Sequence, residues 1–126
     1  MSISELALVC IGGALGAVLR FWVTRSGALV VKKLRFPLPT LFVNLTGSAL
    51  LGILFGITNP DPNYLIEAPV LLFFGVGFCG AYTTFSSFCT ETVALIPQSR
   101  RLAAAYIALT VLGSVAAFST PFMALQ

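Results

Sequence analysis

A block of hydroxyl and ring residues, Thr83-Thr84-Phe85-Ser86-Ser87-Phe88, follows three glycines (Gly75, Gly77, Gly80) inside an apolar stretch from about Pro69 to Ile96. In hydrocarbon each hydroxyl must find a partner, and closely spaced glycines weaken a helix unless backbone or ligand approaches closely. The pattern predicts a membrane helix interrupted near mid-depth. Carbonyls freed at the interruption could hold a cation, and Phe85 and Phe88 would share one face of the half-helix that follows. Asn44 lies inside another apolar stretch. Its amide would either tie two helices together or donate to a dehydrated anion. Phe85 and Phe88 either pack in the ordinary way or turn their electropositive ring edges toward a small, hard anion. Ser86, Ser87, Thr110 and Ser114 could continue a polar track, and Tyr106, Thr110 and Ser114 fall at four-residue steps on one helical face. Hydroxyls in membrane helices also bond back to their own backbone, which is the plainer account of that face.

The charged residues near these stretches have two accounts as well. Arg20, one turn from the end of the first apolar segment, is an interfacial anchor or the attracting charge of an anion vestibule. Trp22 beside it fits an aromatic belt. Glu91 reads most simply as a carboxylate reaching for the interface. Cys10, Cys79 and Cys89 all sit in apolar segments without CxxC spacing, as small packing residues rather than a disulfide framework.

The elements that must position these groups follow from composition. Of 126 residues, 58% are hydrophobic and only 9% charged, which places the chain among membrane proteins. The length suits one four-helix membrane domain spanning 1–126. Four segments are long enough to cross a bilayer of about 30 Å: Ser4–Thr24, Leu38–Thr58, Glu67–Ile96 with the interruption inside it, and Leu102–Leu125. Ser4 followed by Glu5 predicts an N-cap with an acidic first turn. Phe36–Pro39, Asn59–Asn63 and Pro97–Arg101 read as connections. Gly12 and Gly16, Gly13 and Ala17, then Ser48, Gly52 and Gly56, then Gly113 and Ala117 place small residues at four-residue steps, as close helix contact in membranes requires. The N-terminus lacks the basic region and cleavage motif of a removed signal and is expected to be the first span.

Several classes are excluded or disfavoured. There is no His, and no paired embedded carboxylates or activating base beside any Ser or Cys, so an enzyme is not expected. The net charge of +3 is scattered, with no basic run flanked by aromatics, so nucleic acid is not expected as a partner.

Gly12-Gly13-Ala14-Leu15-Gly16-Ala17 with Arg20, then Thr40-Leu41-x-Val43-Asn44-x-x-Gly47-Ser48, then Gly80 and Thr83-Thr84-Phe85-Ser86-Ser87-Phe88 together resemble the Fluc (CrcB-type) fluoride channels. The resemblance runs through all four spans in order. It implies an all-α integral membrane protein of the cell (inner) membrane, with four transmembrane helices, the third broken near mid-membrane. It further implies a dual-topology, antiparallel homodimer with two fluoride pores and a central structural sodium ion. By position, the backbone carbonyls of Gly80 and Thr83 would bind the sodium. Asn44, Phe85, Phe88, Ser86, Ser87, Thr110 and Ser114 would line the pore, and Arg20 would sit at the vestibule. Ala81 and Pro39 depart from the family pattern where glycines are common, and Ser87 replaces a common threonine while keeping the hydroxyl.

The function implied is passive, fluoride-selective export that confers fluoride resistance. The alternative is a proton-coupled small multidrug-type transporter, which needs an embedded carboxylate; the first span holds only Glu5, at its edge. A structural membrane subunit would explain the small-residue faces but not the polar third span.

Overall fold

The computed structural model describes residues 2–58 and 69–125, all of its secondary structure helical. The predicted connection Asn59–Asn63 and the predicted start of the third span at Glu67 lie outside the described residues.

Helix α1 (Ile3–Ser26) starts two residues earlier than the predicted cap implies, because Ser2 rather than Ser4 is the cap. Ser2 Oγ accepts from Glu5 N–H at 3.3 Å, and Glu5 Oε2 accepts from Ser2 N–H at 2.7 Å. This reciprocal box satisfies two amides that the first turn leaves free. Helix α2 (Ala28–Leu34) occupies part of what reads in sequence as a loop, and it ends on Arg35 at φ 52°, a left-handed cap without the usual glycine. Helix α3 (Leu38–Thr58) has the expected bounds. Pro39 falls in its first turn, where a missing N–H breaks no intrahelical bond, so this departure leaves the helix start intact.

The third span, Leu71–Leu95, comprises α4 and α5. Helix α4 is π-helical over Leu71–Cys79, the Gly80 amide reaching back five residues to the Gly75 carbonyl, and then makes one α-turn, Gly80–Tyr82. At Thr83 (φ −76°, ψ 160°) and Thr84 (φ −149°, ψ 123°) the backbone is extended, and α5 (Phe85–Leu95) begins beyond it. Among the described residues no glycine has positive φ, so Ala81 meets no steric objection. Helix α6 (Arg100–Ala124) is capped by Ser99.

Four helical stretches, Ile3–Ser26, Leu38–Thr58, Leu71–Leu95 and Arg100–Ala124, are long and apolar enough to cross a membrane. The shortest has 21 residues, about 32 Å at 1.5 Å per residue, which matches a hydrocarbon core of about 30 Å. Helix α1 packs along α4, and α3 along α6. Both seams are glycine contacts: a Cβ at Gly16 would run into the Phe78 carbonyl, and one at Gly52 into the Phe118 carbonyl. At Gly13, by contrast, a Cβ would lie 3.8 Å from the Gly77 carbonyl oxygen, an ordinary contact. Gly52→Leu is therefore expected to abolish the monodisperse peak of purified protein in size-exclusion chromatography, and Gly13→Ala to preserve it. Equal behaviour of the two would show that the α3–α6 seam is not set by backbone approach.

Candidate functional site

Asn44 and Thr84 hold the centre of the site together. Asn44 Nδ2 donates to the Thr84 carbonyl at 3.0 Å, and Thr84 N–H donates to Asn44 Oδ1 at 2.8 Å, both bonds buried. One side chain thus satisfies both backbone groups of a residue that has left helical geometry, in an interior where an unpaired group costs about 1–3 kcal/mol. The Thr84 hydroxyl caps α5, accepting from Ser87 N–H at 3.3 Å. It also lies 3.2 Å from Ser87 Oγ and 3.3 Å from Ser86 Oγ.

These bonds divert the amides that would close the helix over Gly80 and Thr83. Four residues beyond Gly80 is Thr84, whose N–H goes to Asn44; four beyond Thr83 is Ser87, whose N–H goes to the Thr84 hydroxyl. The Gly80 and Thr83 carbonyls are thereby denied their α-helical donors. Among the described residues no group of three or more Cys, Asp or Glu side chains could hold a metal.

A groove of about 410 Å³ opens beside this junction. It gathers Asn44 from α3, Gly80 and Thr83 from the junction, Phe85 and Phe88 from α5, and Thr110 and Ser114 from α6; among the described residues no charged side chain lines it. Phe85 is 76% exposed at its rim and Phe88 is buried, the ring centroids 5.6 Å apart. Thr110 is buried, and its hydroxyl has no hydrogen-bond partner among the described residues. Ser86 and Ser87 belong to the cap of α5 and do not line the groove. Arg20, half-buried on α1, does not line it either.

Glu91 is not a surface carboxylate reaching for the interface. It follows Phe88 by three residues on α5 and so faces α3 and α6. There its oxygens accept from Thr40 Oγ1 at 2.8 Å and from Tyr106 Oη at 2.7 Å. This cluster joins helices that the sequence separates by 51 and 15 residues, and no local pattern announces it. The four-residue ladder Tyr106, Thr110, Ser114 was the one available signal. Most other threonines, such as Thr46 and Thr92, do bond back to the carbonyl four residues earlier. Cys79 is buried as a packing residue, whereas Cys10 and Cys89 are exposed.

The architecture and its neutral, hydroxyl-bearing groove define a multi-pass helical membrane protein with a polar site between its helices. The profile of the family described as CrcB-like protein, Camphor Resistance (CrcB) matches residues 7–122, and the chain belongs to that family. It is similar to the fluoride-specific ion channel FluC of Paramagnetospirillum magneticum, 40% identical over 113 residues, covering 87% of this chain and 83% of the relative. The protein of the same name from Anaeromyxobacter sp. (strain K) is 42% identical over 95% of this chain and 94% of its own. That from Pyrococcus furiosus is 44% identical over 82% and 80%.

Proposed function

We propose that this protein is a fluoride-selective channel of the cell membrane that lets cytoplasmic fluoride leave passively. The observation that carries the proposal is the groove, whose described lining residues offer neutral donors and ring edges to an ion and no fixed charge. Fluoride is the smallest halide and the strongest hydrogen-bond acceptor among them. It gains most from the second N–H of Asn44 Nδ2, the free Thr110 hydroxyl, Ser114 and the edges of Phe85 and Phe88. A membrane potential negative inside drives the anion outward by about 2.3 kcal/mol per charge for every 100 mV. The names of the relatives support the same assignment.

In this proposal the extended backbone at Thr83 and Thr84 is a helix break near mid-membrane. The groove is open on one side, with Phe85 and Gly80 exposed there, and a second, oppositely inserted copy closes it. The antiparallel dimer then carries two pores. The Gly80 and Thr83 carbonyls fit a hard monovalent cation, since they are oxygens released from helical bonding. A sodium ion there would hold the two junctions together electrostatically, while this chain's own residues line the pore.

Protein reconstituted in liposomes is expected to release loaded fluoride rapidly once a potassium ionophore prevents charge build-up, with little release of chloride. An ion-selective electrode reads both. Drug-cation antiport without fluoride current would instead support the small multidrug-type transporter.

A further inference from the structure

Helix α1 has two unlike faces. Gly12 and Gly16 are buried against α4, whereas Ile11, Leu15, Val18 and Trp22 are each more than half exposed. These four fall at alternating four- and three-residue steps and so form one stripe; Arg25, also exposed, continues it three residues further on. From Ile11 to Trp22 the stripe runs about 17 Å at 1.5 Å per residue, roughly one leaflet of a hydrocarbon core about 30 Å thick. The Arg25 guanidinium lies 5.9 Å from the centroid of the exposed Phe21 ring. Just beyond, α2 repeats the order apolar then basic: Leu29 and, four residues later, Lys33 are both exposed. Among the described residues none from α1 or α2 lines the groove that the proposed second copy closes, so in that dimer this face stays toward the bilayer.

We propose that this face is a binding site for an anionic phospholipid of the phosphatidylglycerol class, with one acyl chain along Ile11, Leu15, Val18 and Trp22 and the phosphodiester held by Arg25 and Lys33. The stripe alone accepts the chain of any lipid, and the cations choose among head groups. Charge-assisted bonds from Arg25 and Lys33 to phosphate oxygens are unopposed when the head group is glycerol, whereas a choline ammonium sets a third positive charge beside them. The described carboxylates leave both cations free for this. Glu5 stands at the other end of α1, and Glu91 is held by Thr40 and Tyr106 and lines a cavity that neither Arg25 nor Lys33 borders. Each Lys or Arg near a lipid surface is worth about fivefold in affinity for anionic lipid.

Trp22 is the single tryptophan of the chain, so its fluorescence reports this face. The test is quenching of Trp22 in symmetric bilayers that contain either phosphatidylglycerol or phosphatidylcholine with dibrominated acyl chains, the remainder being unlabelled phosphatidylcholine. Wild type is expected to take up brominated phosphatidylglycerol at least about fivefold more tightly than brominated phosphatidylcholine. R25Q/K33Q is expected to bring that ratio close to one, and R25K/K33R, which keeps both charges, to retain most of it. R100Q/R101Q removes the same charge at the start of α6 and is expected to change the ratio less than about twofold. Excess glycerol phosphate in the aqueous phase is expected to relieve none of the quenching, because the acyl chain supplies part of the binding. A wild-type ratio close to one, a ratio that survives R25Q/K33Q, or an equal loss in R25K/K33R or R100Q/R101Q would each overturn the inference. Relief by glycerol phosphate would overturn a lipid as the occupant. None of these readings depends on which ion the protein conducts.

Discussion

Asn44→Leu is expected to lower fluoride efflux at least tenfold and to destabilise the protein, because it strands two buried backbone groups at once. Thr84 N–H and the Thr84 carbonyl both rely on the one amide. Each unsatisfied group costs about 1–3 kcal/mol, so the midpoint of thermal unfolding in detergent should fall visibly. Asn44→Asp keeps an acceptor for Thr84 N–H but sets a carboxylate oxygen against the Thr84 carbonyl, where a donor now stands at 3.0 Å. It should cost comparable stability and repel the anion as well. Phe85→Ile separates the two contributions. That ring is 76% exposed within the subunit and adds little to its core, so its loss should leave the subunit's fold intact while efflux still collapses. Wild-type efflux in Phe85→Ile, in protein shown to fold, would remove the ring edge from the proposed pathway. Wild-type stability in Asn44→Leu would show that the Thr84 backbone finds other partners.

How far the sequence carries this site depends on the range of the interaction. Helix α3 could be bounded at both ends because prolines stand on either side of an unbroken apolar run, and proline punctuates through local sterics. Asn44 could be singled out because a lone amide in that run is costly wherever it points. Its partner could not, since Thr84 lies 40 residues away and contributes backbone, which has no residue-type signature. The same limit hides Glu91. A carboxylate near a span end looks alike in sequence whether it reaches outward or turns inward to Thr40 and Tyr106. The π-helical stretch Leu71–Cys79 escapes for a different reason, because its buried and exposed positions alike carry apolar residues or glycine and show no period that separates five-residue from four-residue bonding. Helix α2, with seven residues, is too short for periodicity to distinguish it from a basic loop.

The orientation of the chain is where charge and site make opposite demands. All seven Lys and Arg (Arg20, Arg25, Lys32, Lys33, Arg35, Arg100 and Arg101) fall at the end of α1, around α2, or at the start of α6. With four spans these positions lie on one side of the membrane, and the positive-inside rule would place them all in the cytoplasm. The groove is open in one subunit, with Phe85 and Gly80 exposed at it, and under the proposed function a second surface closes it. In the proposed dimer, a two-fold axis in the membrane plane would supply that surface from an identical chain inserted the other way up. The proposed antiparallel dimer therefore requires both orientations in equal number, despite the charge bias. Lys33 is exposed on α2, so Lys33→Cys in a background with Cys10, Cys79 and Cys89 replaced offers a single accessible thiol. An impermeant thiol reagent applied outside intact cells is expected to label about half of the copies, because half would carry α2 outward under that symmetry. Labelling of nearly all or nearly none would mean one orientation, and the groove would then have to be closed by a parallel partner or by lipid.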